Sequence, residues 1–330
     1  MTTERATKTT RGRMAWGVAS TLLGAALWGF SGTCSQYLLE NYVISTLFVT
    51  AIRMVASGAL FAIAIILGRR TSARELLHDP KALIRILFFG VFGLLASQIT
   101  YIIAIAYTNA GTATVLQSAN IVMVMLYTCL TRWRAPRIPE AIGLVCAVAA
   151  TVIIATQGDM GTLHLPALGL IWGLGSAVAA AICAIAPQRL YPRYGSFTVI
   201  GLGMITGSIA SLALWIAAFA FPELDVIASS GNAMGSALLP QLDIVAVGLI
   251  AIIVMLGTFA AYFLFLHGMS VVGAVRGSQL GAIEPVSATA CSAILTATTF
   301  SGYDWIGLAL MVATILLVAT KGKDKMSRES

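Results

Sequence analysis

Across 330 residues, 58% of the side chains are hydrophobic and only 10% are charged, and mean hydropathy is +0.91. No soluble globular domain of this length carries so much apolar material, so the chain reads as an all-α integral membrane protein. The formal net charge of +7 would suit nucleic acid in a soluble protein, but these charges lie between apolar segments and exclude that partner here.

Apolar windows of roughly twenty residues, the length a helix needs to cross ~30 Å of hydrocarbon, recur at about 16–38, 44–67, 84–107, 112–131, 141–157, 168–190, 197–221, 243–266, 274–297 and 304–320. They predict ten transmembrane helices. The first window is long and lacks a convincing cleavage site, so it is expected to be a retained helix rather than a signal peptide. All but one of the 20 Lys and Arg residues fall in alternate connections: Arg5, Lys8, Arg11 and Arg13, then Arg69 to Arg85, Arg132 to Arg137, Arg189 and Arg193, Arg276, and Lys321 to Arg328. The intervening connections hold Glu40, Asp159, Glu223, Asp225, Asp243 and Asp304 and no basic residue. This asymmetry predicts cytoplasmic termini at both ends, which requires an even number of crossings.

The segments also repeat. Ile142-Gly143-Leu144, Val148-Ala149 and Ala155-Thr156 match Ile306-Gly307-Leu308, Val312-Ala313 and Ala319-Thr320 at an offset of 164, which also lays Asn120 on Glu284. An earlier echo pairs Trp28-Gly29 with Trp172-Gly173 at an offset of 144. Five helices per copy is an odd number, so the second copy must insert upside down. The expected layout is a basic tail (1–15), a first five-helix repeat (16–157), an external connector (158–167), a second, inverted five-helix repeat (168–320) and a basic tail (321–330). The polar stretch 222–241 is the one long external loop.

Glu284 stands near the middle of the ninth window. A carboxyl in hydrocarbon is expensive and belongs against protein or a wet cavity. Gly277, Gly281, Ser287, Ala288 and Cys291 share its helical face and strip that face of bulk. Pro285 has no N–H and is expected to free the Gly281 carbonyl. Glu284 could hold a cationic solute or a coupling proton, or be only a structural carboxyl. Asn120 and Gln117 offer amides on the matching face of the fourth window, as solute ligands or as interhelical glue. Arg53 is the one basic residue well inside a span; its five donors suit several helix-end carbonyls, an anionic group or a pairing with Glu284. Trp28 and Trp172 could wall a cavity, and Tyr101 and Tyr262 need hydroxyl partners when buried. Gly169-xxx-Gly173 and Gly203-xxx-Gly207 are close-contact patterns within the chain, with a homodimer as their other use. His78, His164 and His267 lack partners suited to catalysis or metal, and the five Cys have no metal-site spacing. No metal, cofactor or ATP-binding run is expected.

Leu27-Trp28-Gly29-Phe30-Ser31-Gly32, Ile52-Arg53, Thr112-Ala113-Thr114-Val115-Leu116-Gln117, Glu284-Pro285 and Gly307 together resemble a bacterial EamA-type member of the drug/metabolite transporter superfamily. That resemblance covers about 16 to 320 and implies ten helices in two inverted repeats, an inner-membrane location and a secondary transporter of a small-molecule solute, surrounded by membrane lipid. Two positions depart from the family pattern. Ile121 stands where members often have proline, so a kink is expected only at Pro285; and Thr298-Thr299-Phe300 lacks a Gly-Glu pair that many members carry. The alternative is a membrane-embedded enzyme acting on a lipid or isoprenoid substrate, which would need a polar cluster at one interface that the sequence does not contain.

Overall fold

In the computed structural model the described residues are 2–68, 70–131, 133, 135, 138–159, 164–273, 276–277, 280–281 and 283–319, and among them there are helices and no strands. The basic positions Arg69, Arg132, Arg134, Arg137 and the tail from Lys321 to Arg328 lie outside the described residues. The helices are α1 (Thr2–Asn41), α2 (Thr46–Gly68), α3 (Arg70–Leu77), α4 (Pro80–Phe88), α5 (Ala96–Tyr107), α6 (Ala110–Gln117), α7 (Asn120–Thr131), α8 (Ile138–Thr156), α9 (Ala167–Ile185), α10 (Tyr191–Tyr194), α11 (Ser196–Ala220), α12 (Glu223–Ser229), α13 (Ile244–Val254), α14 (Ala261–Val272), α15 (Ile283–Leu295) and α16 (Gly302–Ala319). The first helix therefore starts at Thr2 rather than near residue 16.

Among the described residues, seven helical segments are long and apolar enough to cross a membrane: Gly12–Asn41, Thr46–Gly68, Pro80–Tyr107, Ala110–Thr131, Ala167–Arg189, Ser196–Ala220 and Ile244–Val272. Three shorter apolar helices are Ala141–Ile154, Ile283–Leu295 and Gly302–Ala313. Leu67, Ile84, Ile171, Ile209 and Ile244 remain exposed on the outside, as expected of a surface whose solvent is lipid.

Helix contacts come in matched pairs. α1 packs on α14 as α5 packs on α9; α1 packs on α15 as α9 packs on α6; and α2–α11, α8–α16 and α6–α15 are partners of each other. Small residues set these approaches. A Cβ on Gly17 would lie 2.9 Å from Val271, and one on Gly169 would lie 3.1 Å from Tyr107. Likewise Gly257 is covered by Ser31, and a Cβ on Gly93 would come within 3.2 Å of the Cys183 backbone. Both comparisons align α1 with α9 at an offset of 152. The Trp-Gly echo at 144 is thus two turns out of register: Trp28 corresponds in packing to Ala180, not to Trp172. Gly203 and Gly207 likewise meet Phe89 and the Gly90 carbonyl within the chain.

Two π-helical segments interrupt long apolar stretches, Phe89–Leu95 between α4 and α5 and Met255–Ala260 between α13 and α14. Each adds a residue per turn and rotates the face of the helix that follows. In the second, the Thr258 hydroxyl reaches back to the Ile253 carbonyl at 2.9 Å.

The fourth crossing breaks between α6 and α7 although it has no proline. Ser118 Oγ donates to the Thr114 carbonyl at 2.8 Å, and across the break Ala119, Ile121 and Val122 bond three residues back rather than four. Hydroxyl back-bonding of this sort bends helices. The expectation of a kink at Pro285 alone is therefore corrected: the first half is broken as well, at Ser118 and without a proline. At Pro285, the third residue of α15, the missing N–H falls in a first turn that leaves donors unpaired anyway. The Gly281 carbonyl is not left free; it accepts from the Glu284 amide at 2.9 Å.

The stretch 222–241 contains α12 and is tied down. Asp225 Oδ1 accepts from Ser45 at 2.5 Å and Ser229 at 3.0 Å, Asn232 donates to the Ile44 carbonyl at 2.6 Å, and Trp215 donates to the Leu238 carbonyl at 3.1 Å.

Candidate solute site

The break between α6 and α7 and the start of α15 border one cavity of about 740 Å³, including its open mouth. Trp28, Arg53, Gln98, Tyr101, Gln117, Asn120, Tyr262 and Glu284 all line it, drawn from across both halves of the chain. Seven of these eight were expected from sequence. α6 stops at Gln117 and α7 restarts at Asn120, so both amide residues flank the break and line the cavity. Phe265, Leu266, Met269 and Ile121 form an apolar wall.

One side is aromatic. The Trp28 ring meets Tyr262 edge-on at 4.7 Å and lies tilted on Phe265 at 4.5 Å. Such pairs fix ring orientation beyond what area burial provides. Tyr262 is 5% exposed, and its hydroxyl lies 3.3 Å from Ser97 Oγ.

Arg53 is 3% exposed, and its Nε donates to Thr258 Oγ1 at 3.1 Å. No helix-end carbonyl is among its described partners, and one terminal nitrogen has no hydrogen-bond partner. The expected role as a tie between carbonyls is therefore corrected: only one edge of the guanidinium is fixed, by the hydroxyl that the second π-segment presents. Glu284 faces the same cavity, yet the one ion pair between described residues is Arg193 with Asp79, so Arg53 and Glu284 are not in salt-bridge contact.

The small-residue face of α15 is divided between two uses. Gly281 lines the cavity, while Ser287 donates to the Ala26 carbonyl at 3.2 Å and locks α15 onto α1. Pro285 is buried beside the cavity and does not line it. Trp172 is elsewhere, packed against the Ile102–Ile105 and Leu47–Ile103 clusters, as the corrected register requires.

Sequence reasoning missed Gln98 in the cavity and Gln36 beyond it. Gln36 Nε2 donates to Glu40 at 2.8 Å, Thr298 at 3.0 Å and Thr296 at 3.3 Å, while its Oε1 accepts from the Ala110 amide at 3.0 Å and Ser292 at 3.1 Å. One side chain thereby joins α1, α6 and α15 at one end of the cavity. Neutral amides inside apolar windows were the available signal for both glutamines.

A sequence profile of the EamA-like transporter family matches residues 15–156 and again 167–320. The chain belongs to the EamA-like transporter family. It is 29% identical over 303 residues to the "Uncharacterized inner membrane transporter YicL" of Salmonella typhimurium, covering 92% of this chain and 95% of that one. It is 24% identical over 302 residues to an "Uncharacterized transporter" of Archaeoglobus fulgidus (91% and 97% covered) and 24% identical over 315 residues to the "Uncharacterized transporter YwfM" of Bacillus subtilis (94% and 95%). A solved crystal structure of a protein 15% identical shares the fold, with a TM-score of 0.63 over 93% of this chain and 98% of that one. The EamA-like chain is thus a multi-pass membrane protein of a transporter family.

Proposed function

We propose that this EamA-like protein is a secondary transporter that moves a small solute across the bacterial inner membrane by alternating access, and is not an enzyme. Ten crossings form two inverted five-helix repeats, with both termini cytoplasmic. The seven long and three short apolar helices support that count, and the matched helix contacts support the repeat. The observation that carries the function is the cavity itself: a carboxylate and a guanidinium face it from opposite halves without pairing to each other. A purely structural core would join two such charges, because an isolated buried charge is costly.

Access would be from the cytoplasmic side in the conformation described. In the proposed topology the Gln36 network sits toward the outer ends of α1, α6 and α15, where it closes the external exit. Opening that exit means parting these bonds while the opposite end closes, which is the rocking motion inverted repeats permit. Glu284 is placed to hold a coupling proton or a cationic group of the solute. Purified protein in proteoliposomes, loaded with one solute and assayed for counterflow, tests the proposal. No exchange of any solute in a broad panel, from protein that is folded and inserted, would refute it.

A further inference from the structure

Among the described residues, four buried donor atoms on side chains that line this cavity have no hydrogen-bond partner: Trp28 Nε1, a terminal nitrogen of Arg53, Gln98 Nε2 and the Tyr101 hydroxyl. Arg53 and Gln98 are each 3% exposed and Tyr101 is 6% exposed. Buried polar groups nearly always find partners, and each exception calls for an explanation. Four exceptions of one chemical kind, lining one cavity, call for a common one.

The architecture keeps them unsatisfied. Gly32 lies against the Tyr101 hydroxyl so closely that a Cβ there would collide with it, and a glycine offers that hydroxyl no acceptor side chain. Arg53 is held through Nε by Thr258, and one of its terminal nitrogens is left without a partner. All four donors come from the first half of the chain, on α1, α2 and α5. Beside them Phe265, Leu266 and Met269 offer only apolar surface.

We propose that this half of the cavity is the recognition site for the carboxylate of a small organic acid, whose apolar body rests on the wall of Trp28, Phe265 and Met269. A carboxylate offers two oxygens and about four acceptor sites, as many as there are unpartnered donors, and a guanidinium suits its planar shape. This inference rests on the transporter reading and names the solute class for the same site.

The test uses the full-length protein in nanodiscs, with binding measured by calorimetry for phenylacetate, its neutral isostere phenylacetamide and the cation 2-phenylethylamine. Phenylacetate is expected to bind at least about tenfold more tightly than the amide, since a hydrogen bond to a charged group is worth more than one to a neutral group. Gln98→Leu and Tyr101→Phe should each raise its Kd about tenfold or more, while leaving Tm unchanged or higher, because each removes a donor with no partner in the protein. Loss of binding together with loss of Tm in both variants would overturn the proposal, as would preference for the amine or amide, or failure of phenylacetate to bind. Counterflow in proteoliposomes separates the two claims. Phenylacetate that binds but never exchanges counts against transport and not against the site; exchange of the amine without phenylacetate binding counts against the site and not against transport.

Discussion

Asp79 and Asp243, 164 positions apart, play the same part in the two halves of the chain. Asp79 caps α4 by accepting from the Lys81 and Ala82 amides at 3.1 and 3.3 Å, and Tyr194 donates to its other oxygen at 2.9 Å. Asp243 caps α13 by accepting from the Ala246 amide at 2.8 Å, and Tyr42 donates to it at 2.9 Å. Tyr42 and Tyr194 are themselves 152 positions apart, the offset that packing gives α1 and α9. Tyr42 follows α1 and holds the start of α13, while Tyr194 ends α10, beyond α9, and holds the start of α4. In the proposed topology one tie lies at each membrane face.

These ties should be visible in the pH dependence of stability. The Tyr194 hydroxyl, then the Ala82 and Lys81 amides, hold the Asp79 carboxyl below its ordinary value. A carboxyl depressed on folding stabilises fully above its unfolded pKa of about 3.9, and that contribution disappears as pH falls through the folded value. Asp79→Ala should therefore lower Tm at pH 7, and the gap to wild type should close as the pH is taken down through the acid range. A gap independent of pH would mean that the carboxylate charge is irrelevant.

Much of the site could be read in advance because its members are costly in hydrocarbon. Glu284 and Arg53 had to face something polar, and Gln117 and Asn120 lie on either side of the break. What the sequence left open was direction. Gln98 and Gln36 are neutral, and nothing in an apolar helix of uncertain rotation tells which face an amide occupies; the π-segment before α5 alters that rotation. Trp172 misled because Trp-Gly recurs easily in apolar helices, whereas the true register depends on contacts of Gly17 and Gly169. The kink at Ser118 was missed because proline is a visible breaker and back-bonded hydroxyls are not.

Gly29 must stay small. A Cβ there would lie 2.6 Å from the Glu284 carbonyl oxygen and 2.7 Å from the Ala288 nitrogen, both backbone atoms that cannot swing away. Gly29→Ala should push α15 from α1 and destabilise by about 1–3 kcal/mol, the usual range for overpacking. A wild-type Tm would show that the two helices are not held at this distance.

Gln36→Ala should loosen the end of the cavity that it closes. It removes a side chain with five hydrogen-bonding contacts, each worth about 0.5–1.5 kcal/mol net. In a protein whose one cysteine is Cys34, normally 4% exposed, impermeant maleimide added outside should label the variant faster than the parent. Equal rates would remove Gln36 from the external closure.

Sidedness is checked with single cysteines at two exposed positions, Thr71 on α3 and Ser230 after α12. In intact cells an impermeant reagent should label Ser230→Cys and spare Thr71→Cys. The reverse result, or equal labelling, would refute cytoplasmic termini with ten crossings.

Substitution of Glu284 tests what drives the proposed transport. Glu284 sits where α15 begins, its amide taken by Gly281 and its carbonyl by Ser287 at 2.9 Å, so its backbone is fixed and Glu284→Gln should fold normally. If the carboxylate carries the coupling proton, glutamine imitates the protonated form; solute exchange should persist while uptake driven by a pH gradient is lost. If instead it is the counter-charge of a cationic solute, the same change should weaken binding by about 1.5–3 kcal/mol, the worth of a charged hydrogen bond, and exchange should fall with it. Exchange and gradient-driven uptake measured in one proteoliposome preparation separate the two. Retention of both would make Glu284 a structural carboxyl and leave solute recognition to Arg53, Gln98 and the amides of Gln117 and Asn120.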